Sequence, residues 1–168
     1  MMGGEIPSCR SEVGQWKTVT HVQYGFSVDY PAIWHPQKYG DAGYRGDHDL
    51  KLIIDDSSWS DFAVFIYYRA FNEPTIENVV NWANSRLGRY DRAIEYEEIF
   101  LIEETVNGCS ITKRRYKING ALHEEVYITR QDDMFIIELQ LPSYTKEYAY
   151  DDYFNYFNPI VASFRPMQ

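Results

Sequence analysis

The sequence predicts an α+β domain in which an antiparallel β-sheet is sandwiched between helices. Three observations predict it. The segment 95–141 is strand-like sequence broken at Asn107-Gly108, at Asn119-Gly120 and at Asp132-Asp133, apolar residues recur at helical spacing on either side of it, and shorter alternating runs come earlier. Asn-Gly is the strongest short-range hairpin signal, because a two-residue type I′ turn needs φ > 0 at both central positions. Segment 95–141 therefore reads as a four-stranded meander.

The chain can be taken in order. Residues 1–14 show no periodicity and are expected to be a disordered or vector-derived tail, which leaves 15–168 as a single domain, large enough to bury a core without disulfides or metals. Val19 and His21, then Tyr24, Phe26, Val28 and Tyr30, alternate with polar neighbours and predict a strand ended by Pro31. Trp34 then reads as an aromatic plug at the sheet end. Pro36, Gly40, Gly43 and Gly46 punctuate a loop-like stretch over 35–49. Residues 50–54 and 62–68 read as a hairpin. Thr75 is the predicted N-cap of a helix over 75–87, with Ile76, Val79, Val80, Ala83 and Leu87 on one stripe and Gly88 as its stop. After the meander, Tyr150, Tyr153, Phe154, Phe157, Val161 and Phe164 form a second helical stripe. Pro159 removes a backbone donor inside it, so a helix is expected to about Phe157, then a kink or a second short helix.

The meander carries its own register. Two-residue loops at both Asn-Gly steps place Val106 opposite Cys109, Ile118 opposite Ala121, Arg114 opposite Glu125 and Arg115 opposite Glu124, two opposite-charge cross-strand pairs on the two faces. Taking Asp132-Asp133 as the third turn sets Ile128 against Ile137 and Val126 against Leu139. One face then gathers Cys109, Ile111, Leu122, Val126, Ile128, Phe135, Ile137, Leu139 and Leu141 as core. The other gathers Glu103, Thr112, Arg114, Glu125, Tyr127, Glu138 and Gln140, and is expected to be at least partly wet.

Gly25-Phe26-Ser27-Val28-Asp29-Tyr30-Pro31-Ala32-Ile33-Trp34 resembles the opening gly-phe-x-x-x-tyr-pro-x-x-trp strand and turn of PsbP-like proteins, the superfamily of the extrinsic photosystem II subunit and its Ran-binding relatives. The helix at 75–87, the turn at Asn107-Gly108, the hairpins to Leu141 and the closing Ile160-Val161-Ala162-Ser163-Phe164 are similar to that family in the same order, over roughly 20–165. The resemblance implies a PsbP-like α/β/α sandwich. It implies no single activity: members include photosystem accessory subunits, a nuclear-transport GTPase cofactor and bacterial exported proteins, and few are known as enzymes.

Composition narrows the function classes. With 25 Asp and Glu against 16 Lys and Arg, a net charge of −9 and a pI near 4.9, the chain lacks the basic footprint that a nucleic acid or an anionic membrane requires. No apolar run is long enough to span a bilayer. Cys9 and Cys109 give neither a disulfide framework nor metal spacing. Ile6-Pro7-Ser8-Cys9 loosely resembles the context of a bacterial lipoprotein cysteine, but no hydrophobic segment precedes it. No serine sits in a nucleophile elbow and no glycine loop cradles a phosphate. Glu97-Glu98, Glu103-Glu104 and Glu124-Glu125 each point to opposite faces of a strand, so none makes a catalytic dyad. His123 is placed beside Tyr116 and Ile99, in a packing role.

Two clusters remain. Asp47, His48 and Asp49, with Asp55 and Asp56 nearby, carry ligands for Zn²⁺ or Ca²⁺ in no defined motif, so a divalent cation is the one cofactor left open and a solvated acidic loop is the competing reading. The tyrosines of 144–156 exceed what one helical face buries, and Tyr148, Tyr153 and Tyr156 are the candidate partner-binding residues. The sequence thus predicts a non-catalytic accessory or protein-binding domain. The alternative is an exported small-ligand or metal-ion binding protein using the 35–60 loops, extracytoplasmic if a signal segment was removed.

Overall fold

The computed structural model describes residues 15–38, 50–53, 63–70, 75, 77–79, 81–82, 96–106, 109–130 and 132–167. The tail at 1–14, the 39–49 loop with Asp47, His48 and Asp49, and both Asn107 and Gly108 lie outside them. The meander is present as β6 (Tyr96–Val106), β7 (Cys109–Ile118), β8 (Ala121–Thr129) and β9 (Asp133–Leu141). Beyond β9 the sheet continues through β5 (Ala63–Ala70) and β4 (Leu50–Ile53) to β3 (His35–Lys38), giving seven antiparallel strands in the order β3-β4-β5-β9-β8-β7-β6. The hairpin expected at 50–68 is therefore β4–β5. The stretch expected to be loop from His35 contributes an edge strand as far as Lys38.

Two of the meander's registers are as expected, and at one the turn chemistry is visible. Asn119 and Gly120 both have positive φ, 51° and 81°, as a type I′ turn demands, and Ile118 pairs with Ala121. Arg114 then faces Glu125, Arg115 faces Glu124, and Val106 faces Cys109. Between β6 and β7 the register shifts at Glu98/Phe100, so Tyr116 pairs with Glu98 and not with Ile99.

The third turn differs from expectation. Asp132-Asp133 is not a two-residue loop: Thr129 pairs with Met134, Ile128 with Phe135 and Val126 with Ile137, a two-residue displacement from the predicted register. Arg130 and Asp133 close the wider turn. The Arg130 amide donates to the Asp133 carbonyl at 2.9 Å, and its guanidinium grips the Asp133 carboxylate by Nε at 2.8 Å and Nη2 at 2.6 Å. That fork, ahead of the opposing effect of partial burial, holds the Asp133 carboxyl below its ordinary value. A lowered carboxyl pKa stabilises the fold above the unfolded value and loses its contribution as pH falls through the folded one. Asp133→Asn is therefore expected to cost about 1 kcal/mol in urea melts at pH 7, with the difference from the unsubstituted chain vanishing toward pH 2.

Because strands have period two, an even slip leaves sidedness intact. Ile111, Leu122, Val126, Ile128, Phe135, Ile137, Leu139 and Leu141 all lie in one core cluster, as expected. What covers them was only half legible. The 17–30 stretch is not one strand but a hairpin, β1 (Trp16–His21) and β2 (Phe26–Pro31), joined through Gly25 at φ 69°. With β10 (Arg165–Pro166) it forms a separate three-stranded sheet in the order β1-β2-β10. The C-terminal helix, Tyr150–Ser163, joins it in covering this face and buries Phe154, Phe157 and Ile160. It runs through Pro159 without ending at Phe157. Proline forfeits one hydrogen bond, to the carbonyl of Asn155, while Phe154, Phe157 and Ile160, buried on either side of it, hold the flanking turns. Trp34 is 2% exposed and packs on Tyr156 with ring centroids 5.7 Å apart, the plug anticipated from sequence.

On the opposite face, the Thr75 side chain accepts from the Asn78 amide at 3.2 Å, and the backbone at 77–79 and 81–82 is helical. Val79 and Trp82 from this stretch pack with Tyr67, Tyr127, Met134 and Ile136 in a second cluster.

Candidate functional site

Among the described residues, the second face of the large sheet is exposed at Glu103, as expected, but buried at its centre. Arg114, Glu125 and Glu138 are each 3% exposed, and Thr112 and Tyr127 are equally buried. Register lays these side chains out in rows across β7, β8 and β9: Tyr116, His123 and Gln140, then Arg114, Glu125 and Glu138, then Thr112, Tyr127 and Ile136. The middle row puts two carboxylates directly opposite each other, Glu125 against Glu138. Like charges so placed repel, and burial strips them of water, so the arrangement stands only if donors replace the solvent.

Phenols supply them. Tyr116 and Tyr127 donate to the two oxygens of Glu125 at 2.5 and 2.7 Å, and Tyr67 and the Gln140 amide both donate to Glu138 Oε1 at 2.9 Å. The Arg114 guanidinium lies 5.6 Å from the Tyr116 ring centroid, and Arg114 stands opposite Glu125 in the strand register. Burial first, then the charges of Glu125 and Glu138, push the Tyr116 phenol far above its ordinary value, so it remains a donor. On the other face Glu124 meets Arg115 at 2.7 Å beneath the C-terminal helix, and burial outweighs that pairing to raise its carboxyl. Glu124 and Glu125 thus point apart, as their adjacency requires.

Where the first row reaches the end of the sheet, a cleft of roughly 330 Å³ opens. Ala121, Leu141 and Pro142 form its apolar part, while His123 and Gln140 supply polar groups and Ser143 and Tyr144 line the rest. The His123 ring stacks on Tyr116 with centroids 5.0 Å apart and planes 2° from parallel, the packing neighbour expected from sequence. Its Nδ1 is buried, has no hydrogen-bond partner, and lies 3.6 Å from Glu138 Oε2. Behind the cleft, then, stands a carboxylate reached by both of its polar side chains.

The tyrosines divide sharply. Tyr148 is 87% exposed and Tyr144 71%, whereas Tyr153 and Tyr156 are half-buried and pack on the core. The segment bearing the exposed pair is pinned by Lys117, which reaches Glu147 at 3.4 Å and lies 5.7 Å from the Tyr150 ring centroid. Asp47, His48 and Asp49 are outside the described residues. Among the described residues no group of three or more His, Cys, Asp or Glu side chains is placed to hold a metal ion, and no helix is long and apolar enough to cross a membrane. Sequence reasoning missed both the carboxylate pair and the cleft. The pair depends on the β8–β9 register, and the cleft on how the 142–144 turn folds beside Ala121.

No protein-family model matches the sequence, and no curated protein does. Solved structures do match. The solution structure of cyanobacterial PsbP (CyanoP) from Synechocystis sp. PCC 6803 superposes with a TM-score of 0.65 at 14% identity, covering 99% of this chain and 96% of that one. LpqN, involved in cell envelope biogenesis of Mycobacterium tuberculosis, matches at TM-score 0.51 and 14% identity over 92% of this chain and 91% of its own. A crystal structure from Bacteroides thetaiotaomicron VPI-5482 matches at 0.56 and 10% identity over 90% of this chain, which spans 48% of that longer one.

Proposed function

From the premise that this chain has the PsbP-like fold, we propose that it is a non-catalytic accessory domain that binds another protein through the end of its large sheet. The carrying observation is a pair of solvent-facing tyrosines four residues apart, Tyr144 at 71% exposure, which lines the His123 cleft, and Tyr148 at 87%. A phenol ring left in water gains apolar burial and keeps its hydrogen bond when a partner covers it, which is why tyrosine is enriched at interface centres. The acids of the second face support the same reading, because their oxygens are engaged by tyrosines inside the protein. An extracytoplasmic location, as the envelope role of LpqN suggests, belongs to this proposal. The alternative site in the 35–60 loops falls mainly outside the described residues, and no observation favours it.

The test is in-cell cross-linking in the native host. Benzoylphenylalanine at position 148 is expected to give one discrete protein adduct, and the same group at exposed position 155 on the C-terminal helix none. Adducts of equal yield from both positions, or none from 148, overturn the proposal.

A further inference from the structure

From the charges of the buried middle row we infer that the fold contains a pH-sensitive latch: Glu138 and His123 together hold one extra proton in the folded chain at neutral pH, between Oε2 and Nδ1, and release it as pH rises. The latch goes beyond the docking reading and operates on the chain alone. Glu125 and Glu138 face each other at 3% exposure, and the guanidinium in their row, that of Arg114, is equally buried. With both acids ionised these three groups keep an uncancelled negative charge in the sheet interior, where desolvation makes it costly. His123 is placed to cancel it. Its Nδ1 is buried, makes no hydrogen bond and lies 3.6 Å from Glu138 Oε2. A neutral ring with its proton on Nδ1 satisfies that contact but leaves the charge. The imidazolium does both, and presents a donor to Glu138 whichever neutral tautomer it forms from. The ring keeps 13% of its side-chain surface, at the cleft, so the added charge is not stripped of all its water.

The elements packed around the pair supply no nearer cation. On β7, Tyr116 stacks on the ring and gives its phenol to Glu125, which lies two residues beyond His123 on β8. Glu138 Oε1 accepts from Gln140 of β9 and Tyr67 of β5, and Oε2 is the oxygen turned to the imidazole. Glu98 of β6 pairs with Tyr116 and so adds an acid to the row of His123. Lys51 of β4 shares the row of Glu138 but stands beyond Phe65, two strands away, or about 10 Å. Arg69 lies two rows along, over the Tyr67 ring, and donates to the Tyr68 carbonyl at 2.6 Å. Val79 and Trp82 bring no charge from the helical stretch above, where Glu77 is exposed, and Ser143 and Tyr144 bring none from the cleft.

The sign of the linkage follows. A pair whose hold on a proton is strengthened by folding stabilises fully below its unfolded value, about 6.5 for a histidine, and loses that contribution as pH rises through the folded one. That folded midpoint belongs to the pair, not to either residue. Below it the cleft wall carries a cation, and above it none.

Urea unfolding of the full chain from pH 6 to 9 reads the latch as a slope. Relative to His123→Gln, in which the other groups titrate alike, the unfolding constant of the unsubstituted chain is expected to rise with pH, approaching about tenfold per unit where the proton is lost. The ring ¹⁵N shifts of His123 are the second readout: an imidazolium pattern at pH 7 that turns neutral by pH 9, and a neutral pattern at pH 7 already in Glu138→Gln. Equal slopes in the unsubstituted chain and His123→Gln, a neutral ring at pH 7 in the unsubstituted chain, or an imidazolium that survives unchanged in Glu138→Gln each overturn the inference. If Glu138→Gln does not fold, the slope and the spectrum of the unsubstituted chain decide it.

Discussion

Glu125→Ala is expected to destabilise the domain by about 3–5 kcal/mol in urea melts at pH 7, because it breaks a buried charge network and leaves its other members in place. Arg114 stays buried at 3% exposure with the facing carboxylate gone, and the phenols of Tyr116 and Tyr127 lose an acceptor in the sheet interior. Tyr127→Phe is the control. It removes one hydrogen bond to a charged group while preserving shape, at about 1.5–3 kcal/mol. The double variant is expected to cost less than the sum, since the Tyr127 hydroxyl bonds the carboxylate already removed. A cost below 1 kcal/mol for Glu125→Ala would show that this face opens to water in solution.

Phe135→Ala is the second large effect, about 3–5 kcal/mol for a fully buried aromatic. Its ring is the joint between the two sheets. Phe26 of β2 lies 5.7 Å away centroid to centroid, Tyr68 of β5 5.3 Å, and Phe164, just after the C-terminal helix, 5.1 Å. The Arg130 guanidinium covers it from the turn at 5.0 Å. Alanine leaves a void that none of these can fill without moving β2 relative to β9. Beyond the lowered midpoint, β1, β2 and β10 are therefore expected to lose hydrogen-exchange protection before β7, β8 and β9 do. Uniform loss across both sheets would instead mean that they unfold as one unit.

Particular residues show where sequence reading succeeds. Asn119-Gly120 and Thr75 were legible because turn and cap chemistry are settled within four residues. Arg130 and Asp133 were not. Asp132-Asp133 looks like a turn in isolation, but the side-chain fork across Arg130 and Asp133 closes a wider one, and the two-residue difference brings Glu138 opposite Glu125. The buried carboxylate pair was hidden behind that one register. Tyr148, Tyr153 and Tyr156 look alike in sequence, yet one is exposed and two pack on the core, since a helical stripe is sorted only by what lies against it.

Alone, the sequence determined which residues share a side of the meander strands and where the chain reverses at Asn119-Gly120, since these follow from period-two alternation and from contacts within a few residues. Tertiary structure decided that 17–31 folds back as a hairpin in its own sheet, that the helix runs on through Pro159, and that a row of charges is buried with a cleft at its end. Those outcomes depend on the free energy of packing elements far apart in the chain, a quantity that no local stretch of residues contains.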